Sequence, residues 1–275
     1  MLKQRLISAL ILSIGIVSLV FALPSNYLIL FILLLTCVSL VEFLSLRFST
    51  QSTILFVCFS LTLFYFSSFP GLNKVFIGLS VLTYIVFFFL IISFPVSKPF
   101  LQRNFIWLTS GVLIHLGFFA SLYFLISQDE LVLNHFGMDI TNRAALLIVV
   151  LISALMDSLA FFGGKKYGKS KLLQNVSPNK TIEGFLIAIT LTPIIILLMT
   201  STLVEKNFYQ FIVLILISSF VSVLGDAVIS LFKRVAEVKD TSNLIPGHGG
   251  LLDRIDSHLA TIPIFIFTLL ILSEL

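Results

Sequence analysis

The chain has 275 residues, 58% hydrophobic and 11% charged, with a mean hydropathy of +1.13. Water-soluble domains carry roughly 25% charged residues, so this composition excludes a soluble globular protein and points to an integral membrane protein. The formal net charge is +4, but in a membrane protein the distribution of charge along the chain is more informative than the sum.

Apolar runs of about 20 residues, enough to cross a ~30 Å hydrocarbon core as helices, recur along the whole length. The alternating ten-residue pattern of a membrane barrel is absent. The fold class expected is therefore all-α and polytopic. Nine spans are predicted, at about 6–23, 27–45, 52–69, 75–94, 105–127, 144–163, 185–203, 208–231 and 259–274. The first also has the outline of a signal peptide, with Lys3 and Arg5 ahead of the run and Ala22 near its end, but it is long enough to span. Pro24, Pro70-Gly71 and Pro95 to Pro99 mark short connections. Cys37 and Cys58 lie within apolar runs and read as small hydrophobes, not as a disulfide or a zinc site.

With nine spans, the N-terminus and every even-numbered loop share one side of the membrane. Of the 17 Lys and Arg residues, 14 fall there and 3 (Lys74, Arg143 and Lys206) on the other. By the positive-inside rule the N-terminus is expected in the cytoplasm and the C-terminus outside. The two long polar loops, about 164–184 and 232–258, are then both cytoplasmic. The chain is expected to divide into an N-terminal region of about five spans, 1–143, and a C-terminal region, 144–275, that carries the chemistry.

Charged residues inside spans are costly and are functional candidates by default. Glu42, Asp157 and Asp226 are three such residues. Glu42 has no evident partner and reads as structural. Asp157 and Asp226 lie near the cytoplasmic ends of their spans at similar depth. They either line one cavity open to the cytosol or make polar contacts between helices.

The second polar loop contains Lys233, Arg234, Lys239, Asp240, the run Pro246-Gly247-His248-Gly249-Gly250, and Asp253-Arg254-Ile255-Asp256. Glycines permit close backbone approach to a ligand, and successive N–H groups in such a turn can cradle an anion. On a helix Asp253 and Asp256 are i, i+3 neighbours, and their hard oxygens suit Mg²⁺. The first polar loop, Gly163 to Gly184, holds five lysines and one acid, Glu183. Taken alone it reads equally as a headgroup-binding surface. Beside a carboxylate cluster it supplies the cations that a phosphate-plus-metal site requires. No nucleophile triad and no P-loop is present.

The segment SLFKRVAEVKDTSNLIPGHGGLLDRID, Ser230 to Asp256, resembles the signature of the phosphatidate cytidylyltransferases, or CDP-diacylglycerol synthases, S-x-x-K-R-x4-K-D-x5-P-G-H-G-G-x2-D-R-x-D. Every fixed position is met. Upstream, Asp157, a Gly-Lys-x-x-Gly-Lys run and S-P-x-K-T-x-E-G at Ser177 to Gly184 are also similar to the family. Asn179 stands where a second lysine is common, and Ile182 where tryptophan is common.

The resemblance implies transfer of cytidylyl from CTP to phosphatidic acid, giving CDP-diacylglycerol and pyrophosphate. It implies Mg²⁺, one ion or two, held by Asp226, Asp253 and Asp256, with Asp157 as a further candidate. The catalytic set expected is Asp226, Lys233, Arg234, Lys239, Asp240, His248, Asp253, Arg254 and Asp256. Substrate-holding residues expected are Ser177, Lys180, Thr181, Glu183, Gly247, Gly249 and Gly250. Membrane lipids are the surroundings, no nucleic acid is expected, and a homodimer is compatible with the family. The expected location is the cytoplasmic (inner) membrane, with the site facing the cytosol. The alternatives are a related CTP-using enzyme, either a polyprenol kinase or an ether-lipid cytidylyltransferase, and a transporter that uses the intramembrane aspartates.

Overall fold

The structure, a computed structural model, describes residues 15, 17–69, 71–128, 130–245 and 249–274. Its helices are α1 (Ser25–Ser45), α2 (Thr50–Phe66), α3 (Leu72–Ile92), the single turn α4 (Lys98–Leu101), α5 (Asn104–Ser127), α6 (Asn142–Tyr167), α7 (Ile182–Thr200), α8 (Phe208–Val235) and α9 (Leu252–Glu274). A short 3-10 turn covers Asn134–Phe136, and two strands, β1 (Lys171–Leu173) and β2 (Ser177–Thr181), form an antiparallel hairpin between α6 and α7.

Among the described residues seven helices are long and apolar enough to cross a membrane: α1, α3, α5, α6, α7, α8 and α9. The apolar helix α2 has 17 residues, slightly short for that length. Each of the eight predicted spans from 27–45 onward therefore has its helix. The predicted first span lies for its greater part outside the described residues.

The helix ends differ from expectation in one consistent way. Helix α6 continues through Lys165 and Lys166 to Tyr167, α8 continues through Lys233 and Arg234 to Val235, and α9 already begins at Leu252. Lysine and arginine are good helix formers that extend their charged heads beyond the apolar zone, so polarity alone does not end a helix. The second polar loop shrinks to residues 236–251. The hairpin is a second departure from an all-helical chain. Its register pairs Lys171 with Thr181 and Leu173 with Ser177, and Pro178 fits because each strand of a two-stranded sheet is an edge.

Two packing features position the site. The first is an aromatic cluster in which Phe232 of α8 meets Phe43 of α1 edge-on at 4.7 Å and Trp107 of α5 at 4.8 Å between ring centroids. It seats α1 against α8. Gly111 allows this, since a methyl group there would stand 2.7 Å from the Phe43 ring. The second is the close approach of α6 and α7, where a methyl group on Gly184 would stand 2.5 Å from the carbonyl oxygen of Ala160 and 2.8 Å from the nitrogen of Gly164. The hairpin between these helices is thereby held over the end of α6.

His115 is fully buried against Ser39 Oγ at 3.0 Å and the Gly111 carbonyl at 2.7 Å. His135 contacts Gln210 Oε1 at 2.6 Å. Cys37 and Cys58 are free thiols.

Candidate active site

Asp157 lies ten residues before the end of α6, and Asp226 nine before the end of α8. At about 1.5 Å per residue they sit roughly 14–15 Å below those helix ends. Asp256 joins them from α9. A methyl group on Gly225 would stand 2.7 Å from the Asp256 carbonyl oxygen, so Asp256 lies at the level of Gly225 and next to Asp226. Asp157 Oδ2 accepts a hydrogen bond from Ser257 Oγ at 3.0 Å, which ties α6 to the same turn of α9.

Lys180, at the end of the hairpin, supplies the cation. Its Nζ stands 2.6 Å from Asp226 Oδ2. The contact is an ion pair without the angle of a hydrogen bond. Burial works to lower the ammonium pKa. The charges of Asp226, Asp157 and Asp256 outweigh it and hold Lys180 above its ordinary value of 10.5. One lysine thus answers to three carboxylates on three helices.

The hairpin's own residues keep Lys180 in place. Glu183 Oε2 accepts the N–H of Lys169 at 3.0 Å, and both of its oxygens accept that of Ser170 at 3.1 and 3.2 Å. Thr181 Oγ1 accepts the N–H of Gly184 at 3.2 Å and caps α7. Arg234 Nε donates to the Val176 carbonyl at 3.0 Å and fastens the hairpin to α8. Thr181, Glu183 and Arg234 therefore hold the loop. Ser177 is half-buried in β2, where it pairs with Leu173.

Asp253 has a similar holding role. Its Oδ1 accepts from Lys233 Nζ at 2.7 Å. Its Oδ2 accepts from the N–H of Thr241 at 2.9 Å, Thr241 Oγ1 at 3.0 Å and the N–H of Gly250 at 3.0 Å. Lys233 is 9% exposed and committed to this contact. Gly249 has φ +80°, a conformation that favours glycine, and its carbonyl accepts the N–H of Ile245 at 2.9 Å to close the loop. Pro246, Gly247 and His248 lie outside the described residues. Lys239, Asp240 and Arg254 are exposed at the rim.

Glu42 has no partner close by in the sequence. It is 6% exposed and accepts hydrogen bonds from Ser242 Oγ at 2.6 Å and from the N–H groups of Leu251 at 3.1 Å and Leu252 at 2.6 Å. The available signal was the cost of an acid in an apolar run.

Among the described residues no three His, Cys, Asp or Glu side chains gather into a metal cage. Mg²⁺ usually takes only one or two protein carboxylates and completes its shell with water and substrate phosphates. Asp226 and Asp256, with Asp157 beside them, fit such a metal arriving with a phosphorylated ligand. Asp253, already accepting four hydrogen bonds, is less open to it.

The family model described as the cytidylyltransferase family matches residues 3–272. The chain is 41% identical over 184 residues to a phosphatidate cytidylyltransferase of Haemophilus influenzae, covering 64% of this chain and 62% of that protein. It is 46% identical over 120 residues to the phosphatidate cytidylyltransferase of Bacillus subtilis, covering 42% and 44%. It is 44% identical over 121 residues to that of Staphylococcus aureus, covering 43% and 46%. The matches thus span between 44% and 62% of these relatives' own lengths.

The Lys180–Asp226 pair is expected to be strongly coupled. Removing one partner of a buried pair costs about 3 kcal/mol, because the other charge is left uncompensated. Lys180→Met and Asp226→Asn should each lower the melting temperature in detergent, and the double variant should lie well above the sum of their losses. The folded pKa of Lys180 is raised, so its contribution is present below 10.5 and lost only as pH rises through the folded value. The coupling should therefore not weaken as pH rises toward about 9. Simple additivity of the two losses contradicts the pairing.

Proposed function

The chain belongs to the cytidylyltransferase family, and on that premise we propose that it transfers the cytidylyl group of CTP to phosphatidic acid. The products are CDP-diacylglycerol and pyrophosphate. The observation that carries this reading is the meeting of Lys180, Asp157, Asp226 and Asp256 from separate elements at one intramembrane point. Cations and carboxylates together there suit a phosphate that arrives with a metal.

A lipid substrate has support of its own. An apolar cleft of about 250 Å³ opens between α3, α8 and α9, lined by Tyr84, Phe88, Phe89, Phe220 and Leu224 among others. Phe89 and Phe220 stand exposed at its wall. Tyr84 lies within electrostatic reach of Asp256, so the cleft lies near the carboxylates. An acyl chain in the cleft leaves its phosphate near the carboxylates.

The chemistry needs no covalent enzyme intermediate. A phosphate oxygen of the lipid attacks the α-phosphorus of CTP, one P–O bond forms, and the bond to pyrophosphate breaks. Catalysis is then positioning and charge neutralisation. Bound Mg²⁺ supplies charge neutralisation at the triphosphate oxygens. Asp226 and Asp256 are the residues that would hold it. Lys180 balances those carboxylates and offers its charge to the incoming phosphate. Arg254 and Lys239, at the rim, face the nucleotide. Asp253 and Lys233 fix the loop at Thr241 and Gly250 beside the site.

We assign the site to the cytosolic face of the cytoplasmic membrane, because Lys and Arg divide 14 to 3 in favour of that side.

The purified protein, given CTP, Mg²⁺ and phosphatidic acid, is expected to release pyrophosphate. Asp226→Asn keeps shape and removes charge, and should lower turnover by at least about a hundredfold, the usual loss when transition-state charge is left unmatched. Release of CDP instead marks a kinase, and normal turnover by the folded variant removes Asp226 from the site. For orientation, a cysteine at position 170 should react with an impermeant reagent only after the cytosolic face is opened. Labelling from the outer face alone reverses the topology.

A further inference from the structure

We propose that Glu42, in the N-terminal half of the chain, is a positioning residue that sets the glycine loop and the start of α9 for the reaction. What the loop does rests on the cytidylyltransferase reading; how Glu42 holds it rests on geometry alone.

Helix α9 begins inside the bundle. Four residues after its first, Asp256 is level with Gly225 of α8, ten residues short of the end of that helix. The chain is therefore already inside the protein at Gly250, which is buried, before α9 starts. The first N–H groups of a helix have no partner within it, and at membrane depth irregular backbone is tolerated only where the protein or a water-filled cavity satisfies it. Water is replaced here by two carboxylates. Asp253 takes the N–H groups of Gly250 and Thr241. Glu42 takes those of Leu251 and Leu252 at 3.1 and 2.6 Å, and the Ser242 hydroxyl at 2.6 Å.

Glu42 thus acts as the N-terminal cap of a helix 210 residues away in sequence. Its negative charge also suits the positive end of the α9 dipole. The fit is close, since a methyl group on Gly250 would stand 2.7 Å from Glu42 Oε2. The neighbouring residue transmits the position. Phe43 meets the ring of Phe232 of α8 edge-on, and the next residue, Lys233, binds Asp253. One helix turn of α1 therefore fixes both ends of the loop relative to Asp226. Glu42 reaches no reacting atom by this geometry, and its effect passes through the loop and α9.

The test combines amide hydrogen exchange of the full-length, ligand-free protein with steady-state kinetics. Glu42→Gln keeps the size of the side chain but turns an amide donor toward N–H groups that need an acceptor. Exchange at residues 242–252 should quicken by at least about tenfold, the response to a lost buried acceptor, while α2 and α3 exchange as before. Turnover should fall by at least about tenfold, with the KM for phosphatidic acid within about twofold, because orientation rather than lipid affinity is lost. Wild-type exchange and turnover in Glu42→Gln overturn the proposal. So does faster exchange spread evenly over all helices, which marks a general packing role. If Glu42→Gln does not fold, Ser242→Ala, which removes one donor to the same carboxylate, is expected to quicken exchange in 242–252 alone, and no change there overturns the proposal. If the wild-type protein turns over no CTP, the exchange result still decides the role of Glu42, and the cytidylyltransferase reading falls separately.

Discussion

The contact between Lys180 Nζ and Asp226 Oδ2, at 2.6 Å, joins a hairpin outside the membrane-spanning helices to the interior of one of them. Three carboxylates on α6, α8 and α9 repel one another, and at low dielectric that repulsion is strong. The lysine offsets it, and much of the C-terminal region holds that lysine in place. Close approach at Gly184 draws α7 against α6. Glu183 fixes the turn at Lys169 and Ser170, and Arg234 pins Val176 to α8. On the proposed function, a metal-bound triphosphate would meet charges already in position here, and binding would need little reorganisation.

The second constraint is a backbone one. Starting α9 within the bundle brings Asp256 down to Asp226 but buries N–H groups that need acceptors. Asp253 and Glu42 meet that need from opposite sides. The N-terminal half of the chain thereby gains a defined part in the fold of the site: α1 delivers the carboxylate, and the cluster of Phe43, Trp107 and Phe232 fixes where α1 stands.

Much of this was legible in the sequence. Hydropathy located the helices from Ser25 onward, because a bilayer demands length and apolarity of every span. The matching depths of Asp157 and Asp226 foretold their meeting. Helix ends were less legible, since Lys165, Lys166, Lys233 and Arg234 are helical in spite of their charge. The hairpin carries no alternating pattern in its few residues, and its stability comes from Glu183 and Arg234, which no periodicity reveals. Glu42 was visible only as an anomaly. Its partners lie some two hundred residues away, and local spacing holds no record of them. Thr181 and Glu183, expected to face substrate, are engaged in the hairpin and the α7 cap. A contiguous signature gives the residues of a site but not which of them hold the others.

On the proposed function, the hairpin that carries Lys180 and the loop that runs to Asp253 would form a single composite site. Hydrogen exchange of the full-length protein with and without Mg²⁺ and CTP is the deciding measurement. The expected result is protection of both segments, residues 169–181 and 249–254, on addition of nucleotide. Protection of the second segment with the first unchanged would contradict it. The lysine-rich loop would then meet lipid headgroups alone, and Lys180 would be a structural counter-ion with no contact to the nucleotide.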